Sequence, residues 1–350
     1  MKITLLSTPG CGPVFQYLVE KHKQLETINI CFFGQRSAKD ENEIVQTVFS
    51  HLNLRSITIY NMQNTRDILD LLPGTLLNLP NLEKLELRDW DQLSDQGLTQ
   101  ILITSRSSLR DLNLSGSNII GIGLEEGVNS LPNLETLILM RCFNLKDEGL
   151  AKFLRISGSK LRVLNLTVSW ITGIGLEKGV KSLSMLEKLK LERCFDLKDR
   201  GLNEILRISG SKLTYLIVAD GISITGMGLE EGVKSLPMLE KLELDWCEEL
   251  TGSGLKEILR ISGSKLRELS VAEANITDAE FMEGLRYLPM LENLNLSWCP
   301  ELTSSGLLEI LRIPGSRLKT VYVYGTNIST DDIETLSKQY PSVHFEYLLE

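Results

Sequence analysis

Apolar residues return along this chain in a fixed frame, L/I-x-x-L/I/V-x-L/I/V. Its copies open at Leu25, Leu54, Leu82, Leu109, Leu134, Leu161, Leu186, Leu213, Leu239, Leu266, Leu291 and Leu318. Successive frames start 25 to 29 residues apart. Within a frame the last two apolar positions alternate with polar ones, the period of a half-buried strand. Leu134-Glu-Thr-Leu137-Ile-Leu139 and Leu186-Glu-Lys-Leu189-Lys-Leu191 are two copies. The period then changes. After Cys142, apolar Leu150, Phe153, Leu154 and Ile156 make a helical stripe that follows Gly149 and closes on Ser157-Gly158-Ser159. Each coil is therefore expected to run strand, turn, helix, turn.

Self-similarity at this period specifies a solenoid, in which each unit buries its apolar face only against its neighbours. Strands stack about 4.8 Å apart and helices are wider, so the stack must bend. The predicted fold is an α/β solenoid of horseshoe form, with a parallel β-sheet on the concave face and α-helices on the convex face. Residues 1–24 are expected to form an N-terminal cap, with a strand at Lys2–Leu6 and a helix at Val14–Lys23. Residues 25–342 hold the twelve repeats, and 343–350 a capping strand and tail.

Two coil types alternate. The longer reads L-x-x-L-x-L-x-x-C-x-x-L-x-x-x-G-L from Leu134, Leu186, Leu239 and Leu291, and the coil from Leu82 has Trp90 in the cysteine place. The shorter carries Ser117, Ser169, Gly221, Ala274 or Thr326 there. Cys142, Cys194, Cys247 and Cys299 thus recur every 52 or 53 residues and are expected to stack as buried free thiols, which suits a reducing compartment. Cys11 and Cys31 have no evident role.

The stretch Leu186-Glu-Lys-Leu-Lys-Leu-Glu-Arg-Cys194-Phe-Asp-Leu197-Lys-Asp-Arg-Gly201-Leu202 resembles the cysteine-containing subclass of leucine-rich repeats. That subclass is found in F-box substrate receptors of ubiquitin ligases. The Ile-Thr-Gly-x-Gly-Leu turns at Ile171 and Ile224 resemble ribonuclease-inhibitor-like repeats and the arrays of NLR-type immune receptors. The resemblance covers about residues 25–342 and implies a leucine-rich repeat fold that binds proteins. No F-box-like helical segment precedes the repeats in this sequence, and no G-x-x-x-x-G-K-S/T phosphate loop occurs.

Composition narrows the partner. The chain is 42% hydrophobic and 24% charged, with net charge −9 and scattered basic residues. Nucleic acid and anionic membrane both demand concentrated positive charge, so neither is expected as partner. No apolar run reaches the roughly 20 residues that span a bilayer, and a cytoplasmic location is expected. Sequons at Asn113, Asn165, Asn275, Asn295 and Asn327 read as by-products of strand composition. The histidines, His22, His51 and His344, lie far apart, no Cys-x-x-Cys occurs, and the ladder cysteines have no neighbouring base. The Gly-x-Gly pairs recur with the repeat as turn residues. A non-enzymatic protein without cofactor or metal is expected.

The copies also point to the face in use. Ile205–Leu213 recurs unchanged as Ile258–Leu266, whereas outward strand positions differ from coil to coil. The expected ligand-binding residues on the concave face are Glu86, Ile138, Met140, Asn165, Lys188, Lys190, Tyr215, Ile217, Glu243, Asp245, Trp246, Trp298 and Tyr322. Tyrosine and tryptophan are frequent interface anchors. Of these, Lys190, Ile217 and Glu243 are expected to be replaceable without loss of folding. The expected function is recognition of a protein ligand, with innate immune sensing as its setting. The alternatives are a ubiquitin-ligase substrate receptor and a self-associating structural protein, a homodimer formed through the edge of its last strand.

Overall fold

The computed structural model describes residues 1–7, 12–32, 38–51, 53–60, 67–71, 79–124, 128–180, 182–229, 233 and 235–347. Cys11 and the tail 348–350 lie outside them. The chain divides into two units, Met1–Trp170 with Lys178–Leu183, and Ile171–Glu177 with Ser184–Glu350.

In the first unit, β1 (Lys2–Ser7), β2 (Thr27–Phe32), β3 (Ser56–Tyr60), β4 (Lys84–Arg88), β5 (Asp111–Asn113), β6 (Thr136–Ile138) and β7 (Val163–Asn165) pair in parallel, each with its sequence neighbour. The second unit repeats the pattern with β8 (Lys188–Lys190), β9 (Tyr215–Ile217), β10 (Lys241–Glu243), β11 (Glu268–Ser270), β12 (Asn293–Asn295), β13 (Thr320–Tyr322) and β14 (His344–Glu346). The register follows the frame. Leu189, Leu216, Leu242, Leu269, Leu294, Val321 and Phe345 align strand to strand, and all are buried. A one-residue slip would turn this whole column to solvent. Both units are built of α/β repeats, with strands on one side and helices on the other.

The helices are α1 (Gly12–Lys21), α2 (Ala38–Phe49), α3 (Ile68–Leu71), α4 (Asp95–Ser105), α5 (Asp147–Ile156), α6 (Asp199–Ile208), α7 (Gly252–Ile261), α8 (Asp278–Leu285), α9 (Ser304–Leu311) and α10 (Thr330–Gln339). The amphipathic stripe read from Leu150 to Ile156 is the buried side of α5. The expectation of one helix per coil fails for the coils from Leu109, Leu161 and Leu213, whose described residues after the strand are turns. Glycine is the reason. Gly121, Gly173, Gly175, Gly226 and Gly228 sit at φ between 76 and 85°, a left-handed conformation that cannot continue a right-handed helix. The coil from Leu266 has Thr277-Asp278 in that place. Thr277 and Glu280 form a capping box, and α8 follows.

From the coil at Leu82 onward the eighth frame position is left-handed in both units. Asp89, Gly116, Arg141 and Val168 in the first, and Arg193, Asp220, Trp246, Glu273, Trp298 and Gly325 in the second, lie at φ between 53 and 74°. The backbone turns there without leaving the ladder. Arg141 N–H donates to the Thr167 carbonyl at 3.0 Å, and Trp246 N–H to Ala272 at 2.9 Å. Such backbone is unfavourable for residues other than glycine, most of all for a β-branched one. Val168→Asn is therefore expected to stabilise the protein by about 1 kcal/mol, read as a raised urea midpoint. A lowered midpoint would contradict the strain.

Candidate functional site

The outward face of the strands carries the candidate residues, and the two units use them differently. In the first unit, Glu86 is only 8% exposed. Its carboxylate meets Lys84 Nζ at 2.9 Å and Arg88 at 3.4 Å, and the Tyr60 hydroxyl donates to it at 3.2 Å. The Arg88 guanidinium lies 4.8 Å above the Tyr60 ring. Burial, then the nearby Glu86 charge, raises the Tyr60 hydroxyl pKa. Glu86 therefore ties three strand side chains together. Asn165 also works locally, its Oδ1 accepting the Thr167 N–H at 2.9 Å, and Asn113 does the same for Ser115 at 3.0 Å. Ile138 and Met140 are half-buried.

The second unit brings the remaining residues together on neighbouring strands. The Lys190 and Lys241 ammonium groups lie 5.7 and 5.3 Å from the Tyr215 ring centre. The Tyr215 hydroxyl donates to Glu243 Oε1 at 3.3 Å. Lys241 bridges Glu243 at 2.9 Å and Glu268 at 3.3 Å, and its pKa is raised, chiefly by the bond to Glu243. Asp245 accepts from the Ser270 hydroxyl at 2.6 Å and the Ala272 N–H at 2.8 Å. Burial still pushes its pKa up. Asn295 Nδ2 extends this chain to Ser270 Oγ at 2.8 Å.

Three aromatic side chains stand out on this side of the unit, Trp246 and Trp298 in the turns after β10 and β12, and Tyr322 on β13. Trp246, Trp298 and Tyr322 are 50%, 54% and 36% exposed, and Lys188 is exposed as well. Ile217 is not a free surface residue, being only 6% exposed. Replacing it would disturb packing, which corrects the expectation that the set Lys190, Ile217 and Glu243 is separable from folding.

Two depressions mark this face. One of about 430 Å³ is lined by Lys241, Glu243, Glu268, Asn293, Asn295 and Tyr322, among others. The other, of about 330 Å³, lies between Glu192, Arg193, Asp220, Glu243, Asp245 and Trp246. Glu243 and Asp245 border both. The sequence reading missed Asp220 and Glu273. Their signal was present, since both occupy the same frame position as Trp246 and Trp298.

Two repeated features are structural. The Gly-x-Gly turns present backbone N–H groups, and carboxylates of the protein fill them. Asp95 accepts from Ile120, Gly121 and Gly123, Asp199 from Thr225 and Gly226, and Glu257 from Gly228. A phosphate would have to displace a covalently held anion. The ladder thiols donate to the preceding coil: Cys142 to the Leu114 carbonyl and Cys247 to that of Val218, both at 3.1 Å, and Cys299 to Val271 at 3.4 Å. Among the described residues no group of three or more His, Cys, Asp or Glu could hold a metal ion. Nor is any described helix long and apolar enough to cross a membrane.

The family described as Leucine Rich repeat matches residues 235–259 and 287–311. F-box/LRR-repeat protein 12 of Mus musculus is 32% identical over 166 residues, covering 47% of this chain and 48% of that protein. Putative RNA-binding protein EEED8.10 of Caenorhabditis elegans is 23% identical over 304 residues, 71% of this chain and 41% of that protein. A chain in the crystal structure of the yeast Rad7 and Elc1 complex shares the fold, with TM-score 0.55 and 17% identity over 95% of this chain and 77% of that one. This chain thus spans less than half the length of these curated relatives.

Proposed function

Because the chain is a leucine-rich repeat protein related to the F-box/LRR-repeat proteins, we propose that it is a non-enzymatic recognition protein whose strand face binds a protein partner. One observation carries this reading: a constant scaffold presents a varied face. Ile205–Leu213 and Ile258–Leu266 are identical, yet the strands that precede them show Lys188 and Lys190 in one case and Lys241 and Glu243 in the other. The starts of α6 and α7 vary as well, Arg200 against Ser253 and Asn203 against Lys256, so the constancy is that of the helix ends and the turns after them.

Of the two settings expected from the sequence, substrate recognition for a ubiquitin ligase is preferred here to innate immune sensing, because of the F-box/LRR-repeat relative. RNA is disfavoured as partner by the net charge of −9. The test is affinity capture with wild type, a strand-face variant (Lys188→Glu with Tyr322→Ala) and a helix-face variant (Glu309→Lys with Lys338→Glu). The strand-face variant is expected to lose its captured proteins and the helix-face variant to keep them, with equal thermal unfolding. Equal recovery by both variants would sink the assignment. Co-recovery of ubiquitin-ligase subunits checks the setting.

A further inference from the structure

Trp246 and Trp298 are placed against ordinary preference, as large aromatic residues half in solvent on left-handed backbone. Their coils are joined by ladder bonds through the intervening one, Trp246 N–H to Ala272 O and Glu273 N–H to Ser297 O, each at 2.9 Å. The two indoles therefore start two strand spacings apart, roughly 10 Å, with Glu273 between them. A side chain at Gly325 would overlap the Trp298 ring, so the bare backbone of Gly325 gives that indole its seat.

The surrounding charge is mostly negative. From the coil at Leu213 to that at Leu318, the outward frame positions carry Asp220, Glu243, Asp245, Glu268 and Glu273 against one cation, Lys241. Lys241 is already bound by Glu243 and Glu268. Asp220 is paired with Arg193 of the coil before it at 2.9 Å, which leaves Glu273 and the turn carboxylates as the acidic groups nearest the indoles. Glu248 and Glu301 are exposed in the turns just beyond the two indoles. The Glu273 pKa is raised by desolvation and then by Asp220, Glu248 and Asp245, so these carboxylates feel one another.

We propose that this face of the second unit takes an arginine-containing segment of a protein partner, its guanidinium groups lying against Trp246 and Trp298 and pairing with the carboxylates between and beside them. A guanidinium is the cation that both stacks on an aromatic face and forks onto a carboxylate. The negative field repels nucleic acid, and it equally repels the same face of a second copy. This inference rests on the strand-face reading above and adds the chemistry of the partner.

The test uses the whole chain and a fluorescent peptide of alternating arginine and glycine, read by anisotropy, beside the same peptide with citrulline for arginine. Wild type is expected to bind the arginine peptide and not its neutral isostere. Trp246→Ala with Trp298→Ala should weaken binding at least about tenfold, and Glu248→Gln with Glu273→Gln should also weaken it. Trp246→Phe with Trp298→Phe should retain most of it, which separates loss of the aromatic face from misfolding. Glu309→Gln on α9 should change nothing. No binding by wild type, equal binding by the alanine pair, or an equal loss with Glu309→Gln overturns the proposal. The broader reading stands or falls separately, on the capture comparison of strand-face and helix-face variants.

Discussion

Replacing Gly254 with alanine is expected to destabilise the protein by about 3 kcal/mol. The sign is what makes the experiment informative, since alanine for glycine inside an ordinary helix gains about 1 kcal/mol. Gly254 lies in the first turn of α7, where its N–H donates to the Thr251 hydroxyl at 3.0 Å. A β-carbon there would overlap the Thr225 carbonyl oxygen of the neighbouring turn. Gly201 stands in the same relation to Thr172, and Gly149 to Ile120. The obstacle is backbone already fixed by the carboxylate in its Gly-x-Gly turn, so it cannot move aside cheaply. Gly228→Ala is the control. Its β-carbon would meet open space, and only the φ of 76° opposes it, at about 1 kcal/mol. The check is urea unfolding, with the midpoint falling far more for Gly254→Ala than for Gly228→Ala at unchanged slope. A neutral or stabilising Gly254→Ala would contradict the close approach.

Stability is also expected to fall between pH 9 and pH 10, before the tyrosines ionise. Burial pushes the Cys142 and Cys247 thiols from 9.0 up to about 12, and Cys299 up to about 11. Folding thus favours the protonated, neutral thiol. That contribution is fully present below pH 9, where the unfolded thiols are protonated too. It is lost as pH rises from 9 towards the folded values, because only the unfolded chain releases protons. Between pH 9 and pH 10 the unfolded thiol goes from half to about nine-tenths ionised, which removes about 1 kcal/mol for each thiol, so the three together remove about 3 kcal/mol. Urea midpoints measured across this range should drop steeply for wild type. They should drop much less steeply for Cys142→Ala with Cys247→Ala and Cys299→Ala, which keeps the buried Cys194. An equally steep drop in the triple variant would rule out the thiols as its cause.

The strands were legible because the frame repeats them with one register, and the cysteine ladder because its spacing equals two coils. The helices of the longer coils were legible for the same reason, as α5 shows from Leu150 to Ile156. The missing helices after Leu109, Leu161 and Leu213 were not, although glycines spell out the break. An apolar spacing signals helix whether or not the backbone between can follow it. On the face, sequence position marked which side chains point outward but not which are occupied. Glu86 and Ile217 share the strand position of Glu243. Yet Glu86 is covered by Lys84, Arg88 and Tyr60, and Ile217 is buried. Occupancy depends on the neighbours one coil away, which pattern along the chain does not weigh.

The thiol-to-carbonyl bonds make the stack readable without a label. An S–H stretch absorbs in a region of the infrared spectrum that is otherwise almost empty in proteins, and its frequency follows the strength of the bond the thiol donates. Cys142, Cys247 and Cys299 each span the gap to the preceding coil. Their bands therefore act as a vibrational gauge of that gap, and separation of neighbouring coils would appear there as a shift towards the free thiol.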